Sequence, residues 1–249
     1  MAHTTHSPLV RVLSVLLALV LGSLANATPK DFQTQLDTAG LGYQVPQTGK
    51  SILVNIPSFE VIAFEDGTPV LRSRVIVGAP WHPTPRLETF VSAVRFRPTW
   101  RPTPSMIASG EYTDRIRPAG VNNPLGLAAV RLAPGLLIYL HDTNKRTLFA
   151  QDYRALSHGC VRVERWDELV AFVLDMDITR VHTLANGQRT FDAPAPSISV
   201  TLAYFTRFPD AAGRMVTHPD VYGLNTTSQL LEKDNTSTTT ACAEATSVE

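Results

Sequence analysis

The sequence predicts a mainly β fold with one or a few short helices. Three observations predict it: apolar residues recur at every second position in several short runs, Gly and Pro punctuate those runs, and one segment stands out with a helical apolar stripe. In order along the chain, Ile52, Val54 and Ile56 alternate, and 61–64 and 75–77 lie either side of Asp66-Gly67. Asp-Gly signals a hairpin because the primed turns need positive φ, which Gly supplies without steric cost. Further strands are expected at 89–95, 128–132, 136–140 and 197–206. Between them, 97–126 carries five prolines and three glycines and reads as mostly loop, and loops of that length are often functional. Trp166, Leu169, Val170, Val173 and Leu174 fall at i, i+3, i+4, i+7 and i+8, predicting a helix over 164–175 that begins four residues after Cys160.

The chain has 249 residues, with 22 Lys+Arg balanced by 22 Asp+Glu, 44% hydrophobic and only 18% charged, so it can bury a core. No repeat of fixed period is present, and one domain is the default. With no basic excess there is no footprint for phosphate-backbone binding, which excludes nucleic acid as a partner class.

Residues 1–27 read as a signal peptide. Arg11 supplies the positive region, 12–21 is apolar but for Ser14, and Ala25-Asn26-Ala27 has the small-x-small form of a cleavage site. Export to the periplasm or cell envelope is expected, with Thr28 as the mature N-terminus. The apolar run is about half the ~20 residues needed to span a bilayer, so no integral membrane segment is expected after processing. A short N-terminal segment, 28–50, then leads into the folded unit at 51–223, which ends in a strand extension. A flexible polar tail, 224–249, follows. Cys242 lies in that tail, and a loose tail loses entropy on docking, so a bridge to Cys160 is not expected.

The chemistry concentrates between residues 137 and 163. A thiol is a strong nucleophile once ionised, and a neighbouring imidazole both accepts its proton and stabilises the thiolate. Cys160 and His141 suit those two roles. His141 closes an apolar strand, while Cys160 lies between a glycine turn and the expected helix start, where amides and helix dipole favour negative charge. The amides of Gly159 and Cys160 are expected to donate to a tetrahedral oxyanion, and Gly159 lets the backbone approach closely. His158, two residues before Cys160, is a candidate secondary hydrogen-bonding group for substrate. Trp100 is either a core aromatic or a wall of the substrate groove, with core favoured, and Tyr139 is core by its side chain. His82, His182 and His218 stay unassigned. No metal is expected: His141, His158, Cys160 and His182 lack the paired Cys-x2-Cys or His-x3-His spacings of zinc sites. No cofactor is called for.

His141, 18 intervening residues, and then Ser157-His158-Gly159-Cys160-Val161-Arg162 resemble the signature of the L,D-transpeptidase (YkuD) catalytic domain family. Residues 53–57, 71–78, 123–126, 204–206 and 220–223 extend the likeness over about 51–223. The resemblance implies a YkuD-like β-sandwich of mixed sheets and covalent catalysis on peptidoglycan stem peptides through a cysteine thioester. The products it implies are 3-3 crosslinks or attachment of an envelope lipoprotein. With water as acceptor, the same chemistry makes an L,D-carboxypeptidase or a peptidoglycan-lipoprotein amidase. A non-catalytic wall-binding module is the reading from another class. The resemblance also implies an oxyanion contribution near Tyr139 and an orienting group for His141 at Asp142. That group is commonly the backbone carbonyl, and the carboxylate is the less favoured alternative, since adjacent side chains on a strand point to opposite faces. Arg162 either binds a stem-peptide carboxylate or holds its loop. Departures from the family pattern bear on substrate choice: Arg97 where an Asn is usual, a short lid at 108–120, and only about 20 residues between the expected cleavage point and the first strands.

Overall fold

A computed structural model describes residues 31–224, so the expected signal peptide and all but the first residue of the tail lie outside the described residues. The described residues open with helix α1 (Phe32–Thr38), capped by Asp31, whose carboxylate accepts from Thr34 N at 2.7 Å. Strands β1 (Lys50–Asn55), β2 (Glu60–Glu65) and β3 (Thr68–Gly78) form an antiparallel meander turning at Asp66-Gly67, as the alternation predicts. Then come β4 (Leu87–Phe90), β5 (Ala93–Phe96), the short helix α2 (Pro104–Ala108), β6 (Ala128–Arg131) and β7 (Tyr139–His141). A 3₁₀ turn (Arg146–Ala150) leads to β8 (Ala155–Ser157), β9 (Val161–Val163), α3 (Trp166–Leu174) and α4 (Ile178–Ala185). Last among the described residues come β10 (Phe191–Pro194), β11 (Ser199–Ala203), β12 (Arg207–Pro209) and β13 (Met215–Thr217).

Eleven strands form one mixed sheet in the order β10-β5-β6-β7-β9-β3-β2-β1-β11-β4, with β8 pairing β3 off that path. The parallel pairs are β1/β11, β7/β9 and β3/β8. β4 and β5 stand eight places apart in this order, about 38 Å in a flat sheet, yet two residues join them. The sheet therefore curls until its ends meet. Val91 N donates to Ile198 O at 2.9 Å on one side of the join, and Ser92 N to Arg131 O at 2.9 Å on the other. This corner divides the single strand expected at 89–95 into two.

Three apolar clusters follow from the curl. Inside it, Val54, Val75, Val94, Val130, Leu140 and Val161 from facing strands pack with the stripe of α3, and α4 adds Val181 and Ala185. On the outer face of β1 and β2, α1 covers Leu53, Ile62 and Phe64 with Phe32 and Leu36. On the outer face of β6 and β7, the 97–126 segment supplies Trp100, Met106 and Leu125 to a third cluster that includes Tyr139 and Cys160. The fold is thus mainly β and mixed with a few short helices, as expected. No helix among the described residues is long and apolar enough to cross a membrane.

Candidate active site

β7 and β9 run parallel in the register Leu140↔Val161 and His141↔Arg162. That register sets Cys160 beside Tyr139, and Tyr139 N donates to Cys160 Sγ at 3.1 Å. Because side chains alternate along a strand, Tyr139 and His141 share a face with Cys160 and Arg162, so His141 and Cys160 are diagonal neighbours on it. The expected helix start beside the sulfur is not there. Alternating Val161 and Val163 extend as β9, pairing with both β7 and β3, and α3 begins only at Trp166. A strand amide, that of Tyr139, rather than a helix dipole, therefore faces the sulfur.

Cys160 is disulfide-bonded, contrary to the expectation drawn from the tail. Cys242, the other cysteine of the sequence, lies outside the described residues. Reduction is therefore the first step toward a nucleophile, because only the thiolate attacks.

His141 is buried at 4% exposure, and its Nδ1–H donates to the Asp142 carbonyl. That bond fixes the tautomer and leaves Nε2 with the lone pair a general base needs. The Asp142 carboxylate faces the other way, accepting from Leu127 N at 3.0 Å and from Arg146 Nη1 at 2.8 Å, and burial raises its pKa. Gly126 has no room for a Cβ against that carboxylate, and its φ of +65° suits glycine. Asp142 thus ties the end of the 97–126 segment to the strand carrying the imidazole, while its backbone orients the ring.

Burial, and secondarily the Arg162 guanidinium, push the His141 pKa down to about 3. Between that value and about 6.5 the unfolded chain binds a proton that the folded chain refuses, so this group's contribution to stability is present above 6.5 and lost as pH falls through the window. In a Cys160→Ser background, which has no thiolate, adding His141→Gln is expected to flatten the fall of Tm between pH 6.5 and 4. The lost slope is at most about 1.4 kcal/mol per pH unit. Parallel Tm-versus-pH curves for the two variants would contradict it.

Burial also lowers the Arg162 pKa, and no carboxylate among the described residues pairs with this guanidinium; the charged or titratable neighbours are His141 and Tyr112. His158 is committed elsewhere. Its Nε2 lies 2.8 Å from Glu111 Oε2, and its ring stacks on His82 with centroids 4.7 Å apart. Trp100 is buried at 3% exposure, meets Tyr112 edge-on at 5.1 Å and lies under the Arg117 guanidinium, so it belongs to the small apolar cluster that includes Cys160. Gly159 adopts a φ of +105°, and its N–H donates to Ser157 Oγ at 3.2 Å. Ser157 Oγ in turn donates to the Cys160 carbonyl at 2.5 Å. Sequence reasoning passed over Ser157 and Glu111. Ser157 had a signal, since a serine hydroxyl readily bonds backbone two residues on, whereas Glu111 joins the site only through tertiary contact.

The model of the L,D-transpeptidase catalytic domain (YkuD) matches residues 49–183. A Haemophilus influenzae protein named "Putative L,D-transpeptidase" is 30% identical over 230 residues, covering 76% of this chain and 47% of that protein. The Escherichia coli K12 protein named "Probable L,D-transpeptidase YbiS" is 31% identical over 160 residues, covering 59% of this chain and 50% of that protein. The chain spans about half the length of these curated relatives. Among solved structures, an L,D-transpeptidase from Mycobacterium smegmatis aligns at 19% identity and a TM-score of 0.40, over 62% of this chain and 59% of that one. On the family match alone, covering more than half of the sequence, the chain belongs to the L,D-transpeptidase catalytic domain (YkuD) family.

Proposed function

We propose that the chain is a cysteine-dependent L,D-transpeptidase of the cell envelope, reached by export through residues 1–27, that acts on peptidoglycan stem peptides. In the reduced protein, His141 Nε2 takes the thiol proton. Cys160 Sγ then adds to the carbonyl at the L-centre of the third stem residue, at its bond to the terminal D-Ala. The oxyanion that forms is held by the amides of Tyr139 and Cys160. Collapse breaks the C–N bond, the imidazolium returns its proton to the departing D-Ala amine, and a thioester remains. An acceptor amine attacks the thioester, loses a proton to His141, and frees the sulfur. One peptide bond is broken and one formed, so no cofactor is required. The acceptor is the amine of a second stem, giving a 3-3 crosslink, or that of an envelope lipoprotein.

The observation that carries this reading is the β7/β9 register, which sets His141 and Cys160 diagonally on one face, with His141 Nδ1–H already committed to the Asp142 carbonyl. Arg162, half-buried beside them without a carboxylate partner among the described residues, suits a carboxylate of the stem peptide. Arg162→Gln is expected to raise KM for a tetrapeptide donor about tenfold with a smaller effect on kcat, as loss of one charge-assisted contact predicts. A KM within twofold of wild type would assign Arg162 to the loop instead. Mass spectrometry of muropeptides after incubation with reduced protein tests the transferase reading. Cross-linked dimers are expected, whereas tetrapeptides turning only into tripeptides would mean that water resolves the thioester.

A further inference from the structure

A hydrogen-bonded strap passes behind the nucleophile's loop, and part of it lies outside residues 49–183. Thr84, buried at 1% exposure, accepts from Gly78 N at 2.8 Å through Oγ1 and donates from the same hydroxyl to the Gly159 carbonyl at 2.8 Å. The Thr84 N–H donates to the Tyr222 hydroxyl at 3.0 Å, and that hydroxyl donates to the Gly78 carbonyl at 2.8 Å. Tyr222 is fixed in turn: its ring stacks on Tyr204 with centroids 5.6 Å apart, and its N–H donates to the Tyr204 hydroxyl at 2.8 Å, which bonds Asp220. Every bond is direct and well within hydrogen-bonding range.

The Gly159 carbonyl and the Cys160 N–H belong to one planar trans peptide, so they point in opposite directions. Pinning the carbonyl aims the amide. Glycine at 159, with its φ of +105°, could otherwise let this peptide rotate to other orientations. We infer that Thr84, braced by Tyr222, is a positioning residue that turns the Gly159–Cys160 peptide so that the Cys160 amide faces the oxygen of the acylating carbonyl. The inference rests on the cysteine chemistry proposed above and gives the C-terminal 204–222 segment a part in it.

Two reactions of the same sulfur separate this role from a general one. Alkylation by iodoacetamide needs the thiolate but generates no oxyanion, whereas D-Ala release from a disaccharide tetrapeptide needs both. With the full chain reduced beforehand, Thr84→Val is expected to lower kcat for D-Ala release about 100-fold, the usual loss for one oxyanion donor, with KM changed less than threefold. The alkylation rate and its pH profile should stay within twofold of wild type. Thr84→Ser, which keeps the hydroxyl, should recover kcat to within a few-fold. Tyr222→Phe, which keeps the ring stack, should lower kcat about tenfold with the same unchanged alkylation, and it supplies the test if Thr84→Val fails to fold. Wild-type kcat in Thr84→Val, or alkylation falling in step with kcat, would overturn the assignment. A wild-type protein that neither alkylates nor releases D-Ala would overturn the cysteine chemistry itself, a pattern distinct from either.

Discussion

His141→Ala, assayed after reduction, is expected to release D-Ala about 10³- to 10⁴-fold more slowly than wild type, and Cys160→Ala to release none above background. The expectation comes from the acidities involved. A thiol with an ordinary pKa near 8.5 is only a few per cent ionised at neutral pH, and the departing amine needs a proton at the moment the C–N bond breaks. In the proposed chemistry His141 supplies both transfers, so its loss would fall on two steps at once. Burial keeps its imidazole neutral in the resting protein but also weakens it as a base, so the acceptor role rests on the Nδ1–H bond to the Asp142 carbonyl, which leaves the lone pair on Nε2. Effects of groups acting as a unit do not add, so the double variant should resemble Cys160→Ala alone. Stopped assays on purified muropeptides measure this. His141→Ala within tenfold of wild type would move the base elsewhere.

Gly78→Ala is expected to be the most damaging single-methyl substitution near the site. A Cβ there would collide with backbone at His82 O, Thr84 N and Pro83 C, none of which is the movable end of a side chain. The chain at 79–84 turns tightly against the end of β3, with Ala79 N donating to Ser157 O at 2.8 Å and His82 N to Ala79 O at 2.8 Å. Relieving the overlap means displacing Thr84, and with it the bond to the Gly159 carbonyl. A cost of about 3 kcal/mol, the upper end for overpacking, corresponds to a fall in Tm of about 6–12 °C for a domain of this size. Calorimetry of the reduced proteins checks it, and a Tm within 2 °C of wild type would show that the 79–84 turn yields freely.

The parts of the fold carried by local pattern were legible in the sequence. The meander of β1 to β3 followed from alternation around Asp66-Gly67, and the stripe from Trp166 to Leu174 marked α3. Some of the missed elements are ones that local pattern does not carry. β8 and β9 have three residues each, too short for a period to register, and both pair with β3, about 80 residues earlier, β9 pairing with β7 as well. The curl is invisible for the same reason, since only pairing shows that Val91 and Ser92 bridge opposite ends of one sheet. At the site, residue types and spacing named Cys160 and His141, and the family resemblance implied Asp142, but which atoms of Asp142 act on the imidazole is a matter of conformation. Thr84 and Tyr222 carried no chemical signature; their meaning lies in contacts with 78 and 159.

The measurement that bears most directly on the central claim is intact mass with peptide mapping after exposure to a carbapenem, to which the family resemblance implies acylation. Wild type, Cys160→Ala and His141→Ala would be reduced and treated in parallel. A single adduct is expected on wild type, mapped to Cys160, absent from Cys160→Ala and absent or greatly slowed in His141→Ala. An adduct that persists in Cys160→Ala would contradict it.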